Sequence, residues 1–344
     1  MEFTCKEPKR LDIAMSEALN LPRNQVEKLI KNIGVRVNDK EVKKSSFKLL
    51  GGESIAYDFV EATPQESVYE VDFDIDVLYE DEDILVVNKP PFLTVHGAPS
   101  VKEATLVDWL KKRGIALSTI SGDERHGIVH RIDKETSGAL VIAKNNEAHL
   151  CLSKQLEEKS MGRYYLALID VPLKENMVVD LPIGRSAHNR LKMAVDMRGR
   201  IAKSAFCKLL PSHDEKKELI AIKLFTGRTH QIRVHLGALS RHILGDSLYG
   251  FKSQNGTIPR VMLHAYILYL QHPRTNAFMQ INAPLMDDFK ECLNKNFKEE
   301  EIHEKIKFDS IINGFNTDDK WLRKNASYAQ RAGSRLITPS NRDG

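Results

Sequence analysis

Between residues 126 and 138 the chain reads His126-Gly127-Ile128-Val129-His130-Arg131-Ile132-Asp133-Lys134-Glu135-Thr136-Ser137-Gly138, and an apolar run, Ala139–Ala143, follows at once. Polar residues packed this densely ahead of a core strand form a loop on a rigid platform, where catalytic groups are often placed. Asp133 is the candidate there, because an ionised carboxylate can attack carbon or accept a proton. Asp, Thr, Ser and Gly are also plain turn formers, so Asp133 taken alone is more often an Asx-turn or a cap than a catalyst. Asp133 and Glu135 invite a glycosidase carboxylate-pair reading, yet neighbours two apart in a turn rarely face one substrate.

A second chemical segment is Thr226-Gly227-Arg228-Thr229-His230-Gln231-Ile232-Arg233-Val234-His235. Thr229 suits an N-cap, and the helix that follows would bury Ile232, Leu236 and Leu239 while carrying His230 and Arg233 together off that face. Read alone, Arg233 is an ordinary helix-surface arginine and Arg228 a phosphate or helix-end contact. Tyr165, within Arg163-Tyr164-Tyr165-Leu166-Ala167-Leu168, reads by itself as strand packing. His130, His230, His235 and His264 invite a metal reading, but His230 and His235 are five apart and point to different faces of one helix, so no metal site is expected. Cys5, Cys151, Cys207 and Cys292 form no CxxC pair and support neither a disulfide framework nor a thiolate site. No Gly-rich phosphate loop of the P-loop or dinucleotide type is present.

These residues need two folded units to position them, which 344 residues, 42% of them hydrophobic, can build. Residues 1–60 form a small unit: helices at Leu11–Leu19 and Pro22–Ile33, then short strands around Val35–Asn38 and Ser54–Phe59. Val26, Leu29, Ile30 and Ile33 give the second helix one apolar face, Pro22 suits its first turn and Gly34 its end. Asn38-Asp39 reads as a tight hairpin turn. Net charge is only +4, but residues 6–50 hold eleven Lys or Arg against six acids. A charge run is commonly just a solvated face.

Residues 61–83 read as an acidic linker with a solvated strand edge, and residues 84–295 as a mixed, largely antiparallel α+β domain with flanking helices. Its strands are expected at Ile84–Val87, Ala139–Ala143, Tyr164–Ile169, Leu219–Phe225 and Phe278–Ile281, its helices at Leu106–Lys112, Glu147–Glu158 and Thr229–Leu239. Residues 296–344 read as a charged C-terminal tail, in part loosely held. The absence of a long apolar run or signal-like N-terminus leads us to expect a cytoplasmic protein that does not engage membranes.

His-Arg-Ile-Asp-Lys-Glu-Thr-Ser-Gly at 130–138 closely resembles the signature of the RluA-type pseudouridine synthases, His-Arg-Leu-Asp-x-x-Thr-Ser-Gly, departing only at Ile132. Arg163–Leu168 and Thr226–His235 resemble that family's second and third motifs. The segments at Gly245–Gly250, Leu263–Ala265 and His272-Pro273 resemble structural stretches for which we expect no chemistry. Arg10-Leu11-Asp12, Pro22-Arg23, Leu29-Ile30-Lys31, Val35–Asn38 and Gly52–Ile55 follow the S4 RNA-binding pattern. The resemblance implies that Asp133 is the catalytic carboxylate, that Arg131 displaces the target base, that Tyr165 stacks on uracil and that Arg233 pairs with Asp133. It further implies RNA contacts from Arg228 and from Arg10, Arg23, Lys28, Lys31 and Arg36. The reaction so implied isomerises uridine in a structured RNA, without a cofactor, in a monomer. Large-subunit ribosomal RNA is the expected substrate and transfer RNA the alternative; a non-catalytic RNA-binding role in ribosome assembly is the rival reading.

Overall fold

The computed structural model describes residues 2–19, 23–32, 34–57, 69–98, 101–120, 125–251 and 258–315. Pro22, Ile33 and the Lys28 side chain lie outside what is described. The N-terminal unit runs β1 (Glu2–Thr4), β2 (Lys9–Arg10), α1 (Leu11–Leu19), α2 (Arg23–Asn32), β3 (Val35–Val37), β4 (Lys40–Val42), β5 (Lys48–Leu49) and β6 (Ser54–Ala56). Leu11, Met15, Val26, Ile30 and Ile55 close its core under a four-stranded sheet of order β1-β6-β3-β4. The β3–β4 turn holds Asn38 and Asp39 at φ 46° and 64°, the left-handed pair that a two-residue hairpin demands. Ile120 and Leu150 of the next unit pack into this same core.

The second unit comprises β7 (Asp76–Glu80), β8 (Ile84–Lys89), α3 (Leu106–Lys112), β9 (Ser137–Ala143), α4 (Asn146–Glu158), β10 (Gly162–Ile169), β11 (Met177–Asp180), β12 (Ile183–Arg185), β13 (Met193–Val195), β14 (Lys203–Pro211), β15 (Glu218–Leu224), α5 (Gln231–Ala238), β16 (Leu263–Gln271), β17 (Phe278–Asn282), α6 (Asp287–Asn296), α7 (Glu299–Lys305) and α8 (Phe308–Asn313). Its nine-stranded sheet has the order β11-β14-β15-β10-β16-β9-β8-β7, with β17 also on β16. The pairing is antiparallel except at β9 and β16, which run parallel through Ser137↔His264 and Gly138↔Ala265. Strands β8, β9 and β10 are buried along their whole length, which explains why their sequences are continuous apolar runs rather than alternations. The expected α+β architecture is therefore present.

Two boundaries differ from the sequence reading. Val71 and Ile75 pack under α3, and β7 is an edge strand of the large sheet, so the later part of the acidic 61–83 segment belongs to the second unit; residues 58–68 lie outside what is described. The expected tail from 296 instead continues as α7 and α8, and the stretch buries Phe297, Ile302, Ile311 and Phe315 against the β10–β14–β15 core. Phe315 meets the Tyr164 ring at 5.4 Å between centroids. Each of these short helices has so few core positions among its charges that no periodicity shows in the sequence. Residues 316–344 lie outside what is described.

Gly138 has φ 113°, and a Cβ there would come within 2.3 Å of the Ala265 carbonyl oxygen. Both the backbone conformation and the close approach at the parallel pairing require glycine. Gly138→Ala should therefore lower unfolding free energy by about 3 kcal/mol. An unchanged urea midpoint would show that β16 yields to the methyl group.

Candidate active site

Asp133 lies in the turn that leads into β9, with the Thr136 amide donating to its carbonyl at 3.1 Å. A short turn has few internal bonds, and here the fasteners come from other elements. Lys89 Nζ, buried at the end of β8, donates to the carbonyls of Pro90 at 2.7 Å, Leu93 at 2.9 Å and Lys134 at 3.1 Å. Glu135 accepts the Val261 amide at 3.1 Å, and its own carbonyl accepts from Arg260 Nη1 at 3.3 Å. Arg260 is held in turn by both Asp288 oxygens, at 2.5 and 2.7 Å. The Ser137 hydroxyl donates to His264 Nδ1 at 2.8 Å, because His264 Nε2 faces the Ala283 carbonyl at 3.2 Å and must carry the ring proton. Glu135 is thus a latch for the turn, consistent with discounting a paired-carboxylate site.

Helix α5 brings the counter-charges. The expected Thr229 cap is not formed: the residue at the cap is His230, in the left-handed region at φ 55°, with no side-chain cap bond. Gln231 secures the entry instead, accepting from the Arg228 amide at 3.0 Å and the Thr226 hydroxyl at 2.8 Å and donating to the Lys203 carbonyl at 3.0 Å. The left-handed step puts His230 Nε2 4.0 Å from the Asp133 carboxylate, with Nδ1 2.9 Å from the Tyr249 hydroxyl. Burial lowers the His230 pKa, although the Asp133 carboxylate pulls it up.

Arg233 does approach Asp133, with Nη1 3.7 Å from Oδ2, but its primary partner is Asp246. That carboxylate receives Nε and Nη2, each at 2.7 Å, and also the Tyr249 amide at 3.1 Å. The guanidinium carbon lies 4.8 Å over the Tyr249 ring. Burial opposes the charge on Arg233, and the Asp246 carboxylate more than offsets it, raising the pKa above its ordinary value. Asp246, Tyr249 and Lys89 are the site residues that the sequence reading missed. The only signals were an acid flanked by Gly245 and Ser247 in a segment set aside as structural, and a lysine ending an apolar run.

Tyr165 is buried on β10, opposite Ala265, which itself pairs with Gly138. This register sets Tyr165 across β16 from the Asp133 turn. Asp133, Tyr165, His230 and Arg233 line one cavity of about 70 Å³, together with Arg131 and Arg228. Asp133 is half-buried and Arg131 exposed at the mouth, whereas Arg228 Nε donates to the Ile201 carbonyl at 3.0 Å. The cavity shares Arg131, Arg163 and Gly227 with a larger one of about 950 Å³, which Ser16 and Glu17 of α1 close from the N-terminal unit. Five cations, Arg125, Arg131, Lys159, Arg163 and Lys223, line that larger space against Glu17 and Glu157. The field there attracts polyanions.

In the N-terminal unit Arg10 and Arg23 both converge on the buried Asp12, at 2.9 and 2.7 Å, so their charge is partly spent inside the fold. Burial works against the Asp12 charge, but the two arginines prevail and lower its pKa. Lys31 and Arg36 are exposed, and the Lys28 side chain lies outside what is described. Among the described residues, Asp81, Asp83 and His272 alone have metal-ligand proximity. Their oxygens already accept from the Ile84 amide at 2.8 Å, His272 at 2.6 Å and Arg274 at 2.8 Å, and the group lines neither cavity.

Burial pushes Lys89 down to about 7, against the pull of the Asp133 carboxylate. Below pH 7 the lysine is charged in both folded and unfolded chains. Between about 7 and its ordinary 10.5 the folded chain releases the proton first, so the unfolded chain binds more protons and stability rises with pH. Lys89→Met lacks this titration. The stability difference, wild type minus variant, should therefore grow from pH 7 to 9 by up to ~1.4 kcal/mol per unit in urea unfolding. A flat difference would show that Lys89 stays charged in the fold.

Residues 83–238 match the family described as RNA pseudouridylate synthase, and residues 9–55 match the S4 domain. The chain is 47% identical over 317 residues to an uncharacterized RNA pseudouridine synthase of Helicobacter pylori, covering 89% of this chain and 96% of that protein. It is 35% identical to the ribosomal large subunit pseudouridine synthase D of Nitrosomonas europaea, over 83% of each. Among solved structures it resembles human RNA pseudouridylate synthase domain containing 1, with TM-score 0.51 and 26% identity over 64% of this chain and 87% of that one. With 47% identity to such a synthase over 89% of its length, the chain belongs to the RNA pseudouridylate synthase family.

Proposed function

We propose that this pseudouridine synthase modifies uridine in large-subunit ribosomal RNA, with Asp133 as the group that acts on the ribose. The observation that carries this reading is the convergence of Asp133, Tyr165 and Arg233 on one cavity that opens into a cation-lined groove. The S4 domain and the large-subunit relative support ribosomal RNA over transfer RNA. A rival, non-catalytic RNA-binding role gives no reason to place a carboxylate at the end of a positive groove.

The target base must leave its stack to expose C1′ and both uracil faces. Arg131, exposed at the mouth, is suited to fill the space it vacates. Asp133 then acts on the ribose, as nucleophile or as proton acceptor, and either role asks for an ionised carboxylate, which Arg233 favours. The bond from N1 to C1′ breaks, the base turns against Tyr165, C5 joins C1′, and the C5 proton leaves to solvent while N1 gains one. Reactant and product are isomers, so the balance calls for no oxidant, reductant or group donor.

Mapping pseudouridines in total RNA from cells with and without the gene tests the substrate: loss confined to large-subunit ribosomal RNA is expected, and loss confined to transfer RNA would overturn the choice. Asp133→Asn keeps the shape and removes the charge, so tritium release from 5-labelled uridine in RNA should fall at least ~10³-fold with RNA affinity nearly intact. Substantial residual turnover would remove Asp133 from this role. Asp246→Asn should cost roughly 10-fold or more in kcat, because Arg233 would lose the anion that fixes its plane. Unaltered kcat would mean that Arg233 is held well enough by Tyr249 alone.

A further inference from the structure

Arg163 stands two residues before Tyr165 on β10, on the same side of the strand, and lines both the Asp133 cavity and the large groove. Its side chain is only 7% exposed, yet Nε has no hydrogen-bond partner, and no carboxylate among the described residues lies within ion-pair distance. Nη1 meets His130 Nδ1 at 2.9 Å. That ring is itself buried, and its pKa is lowered by burial and by Arg163, so it is neutral and has a single accepting nitrogen. The Val141 amide, 3.1 Å from Nε2, competes for it. Arg163 is therefore a desolvated guanidinium with no carboxylate in direct contact among the described residues and with donors that are not all accepted, an arrangement that is costly unless an anion completes it.

The opening for such an anion is at Gly227. A Cβ built there would meet only Arg163 Nη2, at 3.2 Å, so the absence of a side chain leaves that edge of the guanidinium facing the groove. The planar fork of arginine matches two phosphate oxygens.

Resting on the reading of the chain as an enzyme of RNA, we propose that Arg163 is the receptor for the backbone phosphate beside the target uridine. The base enters the cavity of Asp133 and Tyr165 while the strand runs in the groove, and Arg163 is a residue that lines both. It would grip the strand at the point where the nucleotide turns out of it.

The test uses full-length protein and total RNA from cells lacking the gene, labelled at uridine C5. In an Asp133→Asn background, RNA affinity is measured against NaCl with Arg163 intact, Arg163→Gln and Arg163→Lys. Loss of one phosphate contact should reduce the log–log salt slope by about 0.7 in the glutamine variant, and lysine should restore it. With Asp133 present, Arg163→Gln should raise KM about 10- to 100-fold and leave kcat within about threefold. An unchanged salt slope would overturn the proposal, as would a fall in kcat at constant KM, which would assign Arg163 to the chemistry. Equal losses of melting temperature and affinity in both variants would assign it to holding His130 and also overturn the proposal. If the protein binds this RNA without releasing tritium, the enzymatic reading fails, while the salt slopes still decide whether Arg163 holds a phosphate.

Discussion

The turn that carries Asp133 takes its shape from charges outside it. Lys89 in its protonated form draws in the Lys134 carbonyl, and Arg260 the Glu135 carbonyl, while Arg233 faces the carboxylate itself. Each cation is secured further out: Lys89 by two more carbonyls, Arg260 by Asp288 on α6, and Arg233 by Asp246. Buried cations hold a position well only when their remaining donors are matched, and that requirement spreads the site across β8, α5, α6 and the loop before β16. It also ties the C-terminal helices to this turn, since α6 supplies Asp288 while α7 and α8 cover the sheet beside β10.

The single parallel pairing in the large sheet has a comparable role. It joins the residues just after the Asp133 turn to His264 and Ala265, and Ala265 pairs on its other edge with Tyr165. A strand-register slip of one residue would turn Tyr165 to the opposite face. Gly138 at this crossing allows the backbones to meet, so the carboxylate and the aromatic ring are located by main-chain hydrogen bonds rather than by side-chain packing alone.

Charge is divided among tasks that the total of +4 conceals. Arg10 and Arg23 are largely committed to Asp12 inside the N-terminal unit, whereas Lys31 and Arg36 remain at its surface. The groove cations lie on the second unit, and Ser16 and Glu17 of α1 line the same groove from the N-terminal unit. In the acidic segment at the β7–β8 turn, Glu82 and Asp83 pair with Arg274 and Asp81 is hydrogen-bonded to His272. The segment lines neither cavity.

The sequence by itself determined the elements whose residues form contiguous runs. Helices α1 and α3 have the expected bounds, and strands β8, β9, β10 and β15 differ at their ends by no more than two residues, because long apolar runs and local capping chemistry are written in adjacent positions. The string from His130 to Gly138 likewise pointed to Asp133. Tertiary structure decided what depends on partners distant along the chain. Arg233 prefers Asp246, 13 residues on. Thr229 yields its expected cap to a left-handed His230 fastened through Gln231, because the Lys203 carbonyl and Ser204 hydroxyl that complete Gln231 come from β14. Helices α7 and α8 each hide one buried isoleucine, Ile302 and Ile311, among solvated charges, and their apolar face exists only against a sheet made of strands from elsewhere. Long-range pairing, register and the satisfaction of buried charge arise from the whole packed chain, and no window of neighbouring residues contains them.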